Sequence, residues 1–276
     1  MLSDVTLGQY VPGESFIHRL DARVKIILVF VYTCALFAVK TPAGCCLYAV
    51  FTFICVFVSG VPFRFILRGL RPMLFILVFT AALNIFMNEG NVIATVFEYK
   101  GFALEITDKG IYTAAIMAAR LLLLLAGTSL LTLTTTPIML TDAVEYLLKP
   151  LKRIGVPAHE AAMMMTVALR FIPTLAEEAD RIIKAQKARG ADFESGNIIK
   201  RARAMLPVMI PLFIGSFRRA DELATAMDAR CYNGGENRTR MRVMRATKRD
   251  AAAAAAVAAL VIGAAAAEIL GRCAVL

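Results

Sequence analysis

Apolar positions run through this chain in long blocks, and polar positions gather between them. Residues 41–63 and 121–141 contain no charged side chain. Each block is long enough to cross the hydrocarbon core of a bilayer as a helix, which takes roughly 20 residues. Apolar runs cover residues 24–39, 43–61, 73–88, 111–136 and 251–270. The pattern predicts an all-α, polytopic membrane protein with about five transmembrane helices. Arg64, Arg68 and Arg71 recur at helical spacing in residues 62–72, which predicts a basic amphipathic connector between the second and third spans. Residues 97–106 read as a small hairpin around Gly101. From 137 to 250 the apolar blocks give way to helical periodicity with charges interspersed, so this stretch predicts long amphipathic helices. Three parts follow: an N-terminal membrane domain of four spans over residues 1–136, an amphipathic-helix domain over 137–250, and a C-terminal transmembrane helix over 251–276.

Composition agrees. Of 276 residues, 59% are hydrophobic and 19% charged, which excludes both a disordered chain and an ordinary water-soluble domain. The distribution of the +10 net charge assigns sides. Residues 137–250 hold 20 Lys and Arg against 13 Asp and Glu, and residues 62–72 hold three Arg and no acid. Residues 89–110 hold four acids and two Lys. The positive-inside rule then places residues 1–23, 62–72 and 137–250 in the cytoplasm and 89–110 outside, in a multi-pass protein of the cell membrane. The basic run Arg238, Arg240, Arg242, Arg245, Lys248 and Arg249 precedes the last span and is expected to meet anionic headgroups of the lipid bilayer. Nucleic acid is not an expected partner, because no aromatic-plus-basic recognition motif accompanies the charge.

Catalytic signatures are missing. No Gly is followed by Lys, so there is no Walker A loop, and no GxGxxG, GxSxG or HExxH occurs. Cys34, Cys45, Cys46 and Cys55 lie in spans, Cys231 and Cys273 stand apart, and no CxxC is present. His18 and His159 are far apart and read as lacking partners, so neither a metal site nor a cofactor is expected. The chain reads as a non-enzyme, and any energetic work it does must draw on a partner. Arg120 falls inside the fourth apolar run, where a charge either pairs within the protein or snorkels to the boundary. Ala255, Ala259, Gly263 and Ala267 form a small-residue face on the last span, suited to a helix of its own bundle or of a partner.

The distinctive feature is a near-repeat at an offset of 41: Ala179, Asp180, Ala185, Ala188 and Arg189 match Ala220, Asp221, Ala226, Ala229 and Arg230. At helical spacing, Leu175, Ala179, Ile182, Gln186 and Arg189 share one face, and Ser216, Ala220, Leu223, Met227 and Arg230 share the equivalent one. Pro173 is expected to open the first helix, and Pro207 and Pro211 to break the chain before the second. Gly190 suits the left-handed residue that closes a helix. An arginine at a helix C-terminus complements the dipole. Two copies behind the same alanines also fit docking, with the thin stripe entering a groove and the guanidinium bonding to acceptors there.

At these residues the sequence resembles the transmembrane T component of energy-coupling factor (ECF) transporters. The matching stretches are Ala168-Leu169-Arg170-Phe171-Ile172-Pro173 through Ala188-Arg189-Gly190, Ser216-Phe217-Arg218-Arg219-Ala220-Asp221-Glu222-Leu223, and Ala226-Met227-Asp228-Ala229-Arg230. His18-Arg19-Leu20-Asp21 and Leu133-Thr134-Thr135-Thr136-Pro137 match as well. The resemblance implies that Ala188, Arg189, Gly190, Ala229 and Arg230 form ATPase-coupling tips. It implies two cytoplasmic ABC ATPase subunits as partners, one per tip, and a substrate-binding S component in the membrane that takes up a vitamin or metal ion. A dedicated cobalt or nickel permease of the same family shares these features. An ordinary ABC importer permease is a further reading, one that needs a polar route through the spans. The second triplet departs from the family pattern: it is Ala229-Arg230-Cys231, and Gly234-Gly235 is the candidate for its turn.

Overall fold

The computed structural model describes residues 10–87, 92–99, 102–150, 155, 157–193, 195, 197–234 and 246–273. Arg238, Arg240, Arg242, Arg245, Gly101 and Gly235 lie outside them. The described chain forms nine α-helices and one hairpin: α1 (Ala22–Ala38), α2 (Pro42–Ser59), α3 (Phe63–Leu70), α4 (Leu74–Met87), β1 (Val92–Tyr99), β2 (Phe102–Thr107), α5 (Asp108–Thr134), α6 (Pro137–Leu148), α7 (Ala158–Ala188), α8 (Ile198–Asp228) and α9 (Lys248–Cys273). The helical class expected from the periodicity holds. The hairpin falls where the alternation about Gly101 placed one, with β1 and β2 antiparallel and Tyr99 opposite Phe102.

Among the described residues, four helical stretches are long and apolar enough to cross a membrane: Pro42–Ser59, Phe63–Phe86, Asp108–Thr134 and Lys248–Leu270. α1 has 17 residues, the lower limit for a spanning helix. The basic connector is not separate from the third span. α3, a 3-10 turn over Arg71–Met73 and α4 follow one another directly, so Phe63–Phe86 is one apolar helical stretch. Pro72 has no N–H to give a regular ladder, and the chain tightens there instead of stopping.

The contacts divide the chain into two compact units, one formed by residues 9–136 with 243–276 and the other by 137–242. In the first, Tyr32 and Leu36 of α1, Cys45 and Tyr48 of α2, and Leu260 and Ala264 of α9 form the core, with Ile116, Leu123 and Leu124 of α5 against it. Gly127 lets α5 approach α1, since a Cβ there would lie 2.8 Å from Tyr32 Cε1. Phe30, Phe53, Phe57, Phe75 and Phe79 point outward, a wasteful arrangement in water but a natural one against lipid.

Polar bonds hold both ends of α1. At its start, Asp21 caps the helix by accepting from the Arg23 N–H, and the Asp21 N–H donates to Asp250 Oδ1 at 2.8 Å. Buried Lys25 donates to the Thr134 carbonyl at 3.0 Å and to Thr135 Oγ1 at 3.3 Å. Asp250 in turn caps α9, accepting from Thr247 N–H at 2.6 Å and its hydroxyl at 2.8 Å. At the other end, buried Arg120 donates to the Val39 carbonyl, and the Lys40 N–H donates to Glu268 at 2.9 Å. Arg120 therefore has an internal partner: it closes α1 at the helix end where a cation is favoured by the dipole.

On α9, the buried side is Val257, Leu260 and Ala264, whereas Ala255 and Ala259 are exposed. The small-residue face expected to carry the packing is thus only half used. Val257, Leu260 and Ala264 on the neighbouring side take the interface with the bundle instead.

In the second unit, α6 packs on α7 and α7 on α8. α7 and α8 each run for 31 residues, about 46 Å. Pro173, Pro207 and Pro211 lie inside them, so they neither open nor break these helices. Each proline removes a single ladder bond, and the remaining ladder with the helix–helix packing outweighs that loss.

Candidate functional site at two helix ends

Both long helices end in the same hydrogen-bond pattern. At the end of α7, the Gly190 N–H donates to the Lys187 carbonyl and the Ala191 N–H to the Gln186 carbonyl, both at 3.0 Å. At the end of α8, the Cys231 N–H donates to the Asp228 carbonyl at 2.9 Å and the Tyr232 N–H to the Met227 carbonyl at 3.1 Å. This pair of bonds is the Schellman closure, whose next-to-last residue must be left-handed. Gly190 has φ +88°, and Cys231 has φ +54°. The turn therefore closes at Cys231 itself, not at Gly234 as the missing glycine suggested. The bonds that satisfy the end carbonyls demand the same geometry whichever residue stands there.

The closure presents Ala188, Arg189 and Gly190 on one helix end and Ala229 and Arg230 on the other, all exposed. Ala185 and Ala226, one turn back, are exposed too. Most other stripe positions are less exposed. Leu175, Ala179, Ile182 and Gln186 are half-buried, as are Ser216, Leu223 and Met227. These positions are partly taken up in packing inside the unit, whereas Ala220 of the second stripe stays exposed, as do the alanine-lined tips and their arginines.

The helices meet at equivalent positions of the repeat. Glu178 and Arg219 are 41 residues apart, the repeat offset, and Arg219 Nη2 lies 2.5 Å from Glu178 Oε2. Gly215 allows the approach, since a Cβ there would lie 3.3 Å from Glu178 Oε1. Eleven residues then separate Glu178 from Arg189, and eleven separate Arg219 from Arg230. Each arm from crossing to tip is about 16 Å long. Two equal arms, joined by one ion pair and ending in a guanidinium, suit transmission of movement from one end of the pair to the other.

Behind the second tip lies a contact the sequence did not reveal. His159 Nδ1 is 3.0 Å from Glu145 Oε1, and His159 Nε2 is 3.4 Å from the Tyr232 hydroxyl. His159 thus has partners, against the expectation, because α6 and the chain after α8 fold back on it. Lys25 and Asp250 were also missed. The Thr247-x-x-Asp250 spacing of a capping box was a usable signal for Asp250, whereas a Lys opening an apolar run was none for Lys25.

Fold and site together define a polytopic helical membrane protein that carries a pair of packed amphipathic helices with arginine tips. A family model described as cobalt transport protein, CbiQ, matches residues 13–241. Relatives named energy-coupling factor transporter transmembrane protein EcfT align over most of the chain. The one from Thermosediminibacter oceani is 53% identical over 262 residues, covering 95% of this chain and 97% of that protein. The one from Ruminiclostridium cellulolyticum is 58% identical over 250 residues, 91% of this chain and 92% of that protein. The one from Bacillus subtilis is 45% identical over 251 residues, 91% and 93%. The chain belongs to this family of energy-coupling factor transmembrane proteins.

Proposed function

We propose that the chain is the energy-coupling T subunit of an ECF importer and that it passes ATP-driven motion from two cytoplasmic ABC ATPase subunits to a substrate-binding S component in the membrane. Residues 137–250 form its cytoplasmic coupling domain, and residues 1–136 and 251–276 its membrane part. Ala188-Arg189-Gly190 seats one ATPase and Ala229-Arg230 the other. The subunit hydrolyses nothing itself; the ATPases supply the energy. The observation that carries this reading is the pair of identically closed, exposed tips at equal distances from the Glu178–Arg219 crossing. The alanines keep each tip narrow, and the guanidinium offers a planar fork of donors to carboxylates or carbonyls in a groove. The relatives' names favour a general T subunit over the dedicated cobalt or nickel form.

The test is co-purification from native membranes, with Walker A-containing subunits identified and quantified against the level of this chain. Arg189→Ala or Arg230→Ala removes charge-assisted bonds worth about 1.5–3 kcal/mol each. ATPase recovery should fall about tenfold or more in either variant, and further in the double variant. Full recovery by the double variant sinks the docking reading.

A further inference from the structure

The two tips close alike but are not held alike. The residue after the left-handed position is Ala191 in the first tip and Tyr232 in the second. A methyl group makes no directed bond, whereas Tyr232 reaches back to α7, where its hydroxyl lies 3.4 Å from His159 Nε2 and 2.8 Å from Met163 Sδ. Glu145 of α6 stands on the far side of the imidazole, 3.0 Å from Nδ1. An ionised carboxylate only accepts, so Nδ1 carries the hydrogen toward Glu145. The single Tyr232 hydroxyl hydrogen goes to Met163 Sδ, and the Nε2 edge of the imidazole faces the hydroxyl oxygen. The His159 side chain is 29% exposed and that of Glu145 13% exposed, so the chain of contacts is largely shielded from water. It joins three elements, α6, the start of α7 and the end of α8.

The tie falls where the backbone needs it. Cys231, the preceding residue, occupies the left-handed region at φ +54°, which costs a residue with a Cβ roughly 1–2 kcal/mol. At the first tip Gly190 takes the same turn without that cost. A strained closure reverts readily unless something on its far side fixes it, and the Tyr232 side chain is rooted one residue beyond. Arg230 lies two residues from the anchor, so the direction of its guanidinium follows the closure.

We propose that Tyr232, oriented through His159 and Glu145, is the positioning residue of the second coupling tip: it holds the Cys231 turn and thereby aims Arg230, and it makes the two tips mechanically unequal. This rests on the docking reading of Arg230. The first tip closes on glycine and is free to adjust to its partner; the second is preset by the body of the unit.

Native Cys231 is exposed and reports on the turn directly. In the full-length chain, with Cys34, Cys45, Cys46, Cys55 and Cys273 replaced by Ala, a nitroxide spin label is attached to Cys231, and in a parallel protein lacking all native cysteines to Ala191→Cys. Tyr232→Phe keeps the ring and removes the hydroxyl; His159→Ala removes the imidazole that the hydroxyl faces. Both should mobilise the label at 231 and leave the label at 191 unchanged, and the double variant should add little to either single one, as for two residues sharing one contact. Recovery of the ATPases identified above should fall about twofold to tenfold in Tyr232→Phe, the loss of one neutral hydrogen bond. Arg230→Ala runs alongside. An unchanged label at 231 overturns the positioning role whatever the recovery does. A mobilised label with full recovery in Tyr232→Phe, while Arg230→Ala loses recovery, overturns the link between positioning and docking. Equal mobilisation at 191 and 231 also overturns it, because it marks general loosening of the unit. Full recovery in Arg230→Ala removes the docking reading itself and leaves the label result to stand alone as a fact of the turn.

Discussion

Cys231 takes a backbone conformation that favours glycine, and the consequence is measurable. Cys231→Gly relieves the left-handed cost of roughly 1–2 kcal/mol but adds unfolded-state freedom worth up to about 1 kcal/mol. The expected net gain is about 0.5–1 kcal/mol, read as a rise of about 1–3 °C in thermal unfolding of the detergent-solubilised protein. No gain would mean that the turn is already relaxed around cysteine. Arg120 is a second residue whose role is local. Its guanidinium is buried and bonded to the Val39 carbonyl. Arg120→Leu leaves that helix-end carbonyl without its charged donor and should cost about 1–3 kcal/mol, seen as a lower unfolding temperature with ATPase recovery per folded chain unchanged.

At the scale of elements, the crossing of α7 and α8 depends on Glu178 and Arg219. The two side chains are each about 30% exposed, so solvent screens the pair and its contribution is about 1 kcal/mol or less. Reversing one charge, in Glu178→Arg, sets like charges against each other where the helices pair and should reduce transport. Exchanging both, Glu178→Arg with Arg219→Glu, should restore most of it, because the pair is symmetric about the repeat. Transport that stays low in the exchanged variant would assign these residues roles outside their mutual contact. The cap of α9 is a separate element-level test. Asp250→Ala removes acceptors from Thr247 and from the Asp21 N–H, and should cost about 1–2 kcal/mol in thermal unfolding.

For the whole molecule, the expected outcome concerns sidedness. With native cysteines replaced, Asn91→Cys should react with an impermeant thiol reagent on intact cells, and Ser195→Cys should react only after the membrane is opened. Labelling at 195 from outside would reverse the orientation and place residues 137–250 away from the compartment where ATP is available.

Much of this molecule was legible in its residues alone. Uncharged blocks of 20 or so residues have one stable environment, so the membrane class and the positions of the apolar helices follow from hydropathy. Arginine bias ranks the loops by side, and the offset of 41 marks the paired helix ends in the sequence itself. Local signals failed where several segments compete for the same group. Pro173, Pro207 and Pro211 read as breaks, yet they sit inside helices whose packing outlasts one lost bond each. The stripes of α7 and α8 read as docking surfaces, yet most of their positions behind the arginines, Ala220 excepted, are half-buried in the unit. His159 read as isolated because Glu145 and Tyr232 are distant in sequence, and only folding brings the three within bonding distance. Periodicity and charge act over a few residues and survive in a linear reading. The pairing of Glu178 with Arg219, the donor for the Val39 carbonyl and the anchor behind Arg230 depend on which surfaces meet, and that is settled by packing in three dimensions.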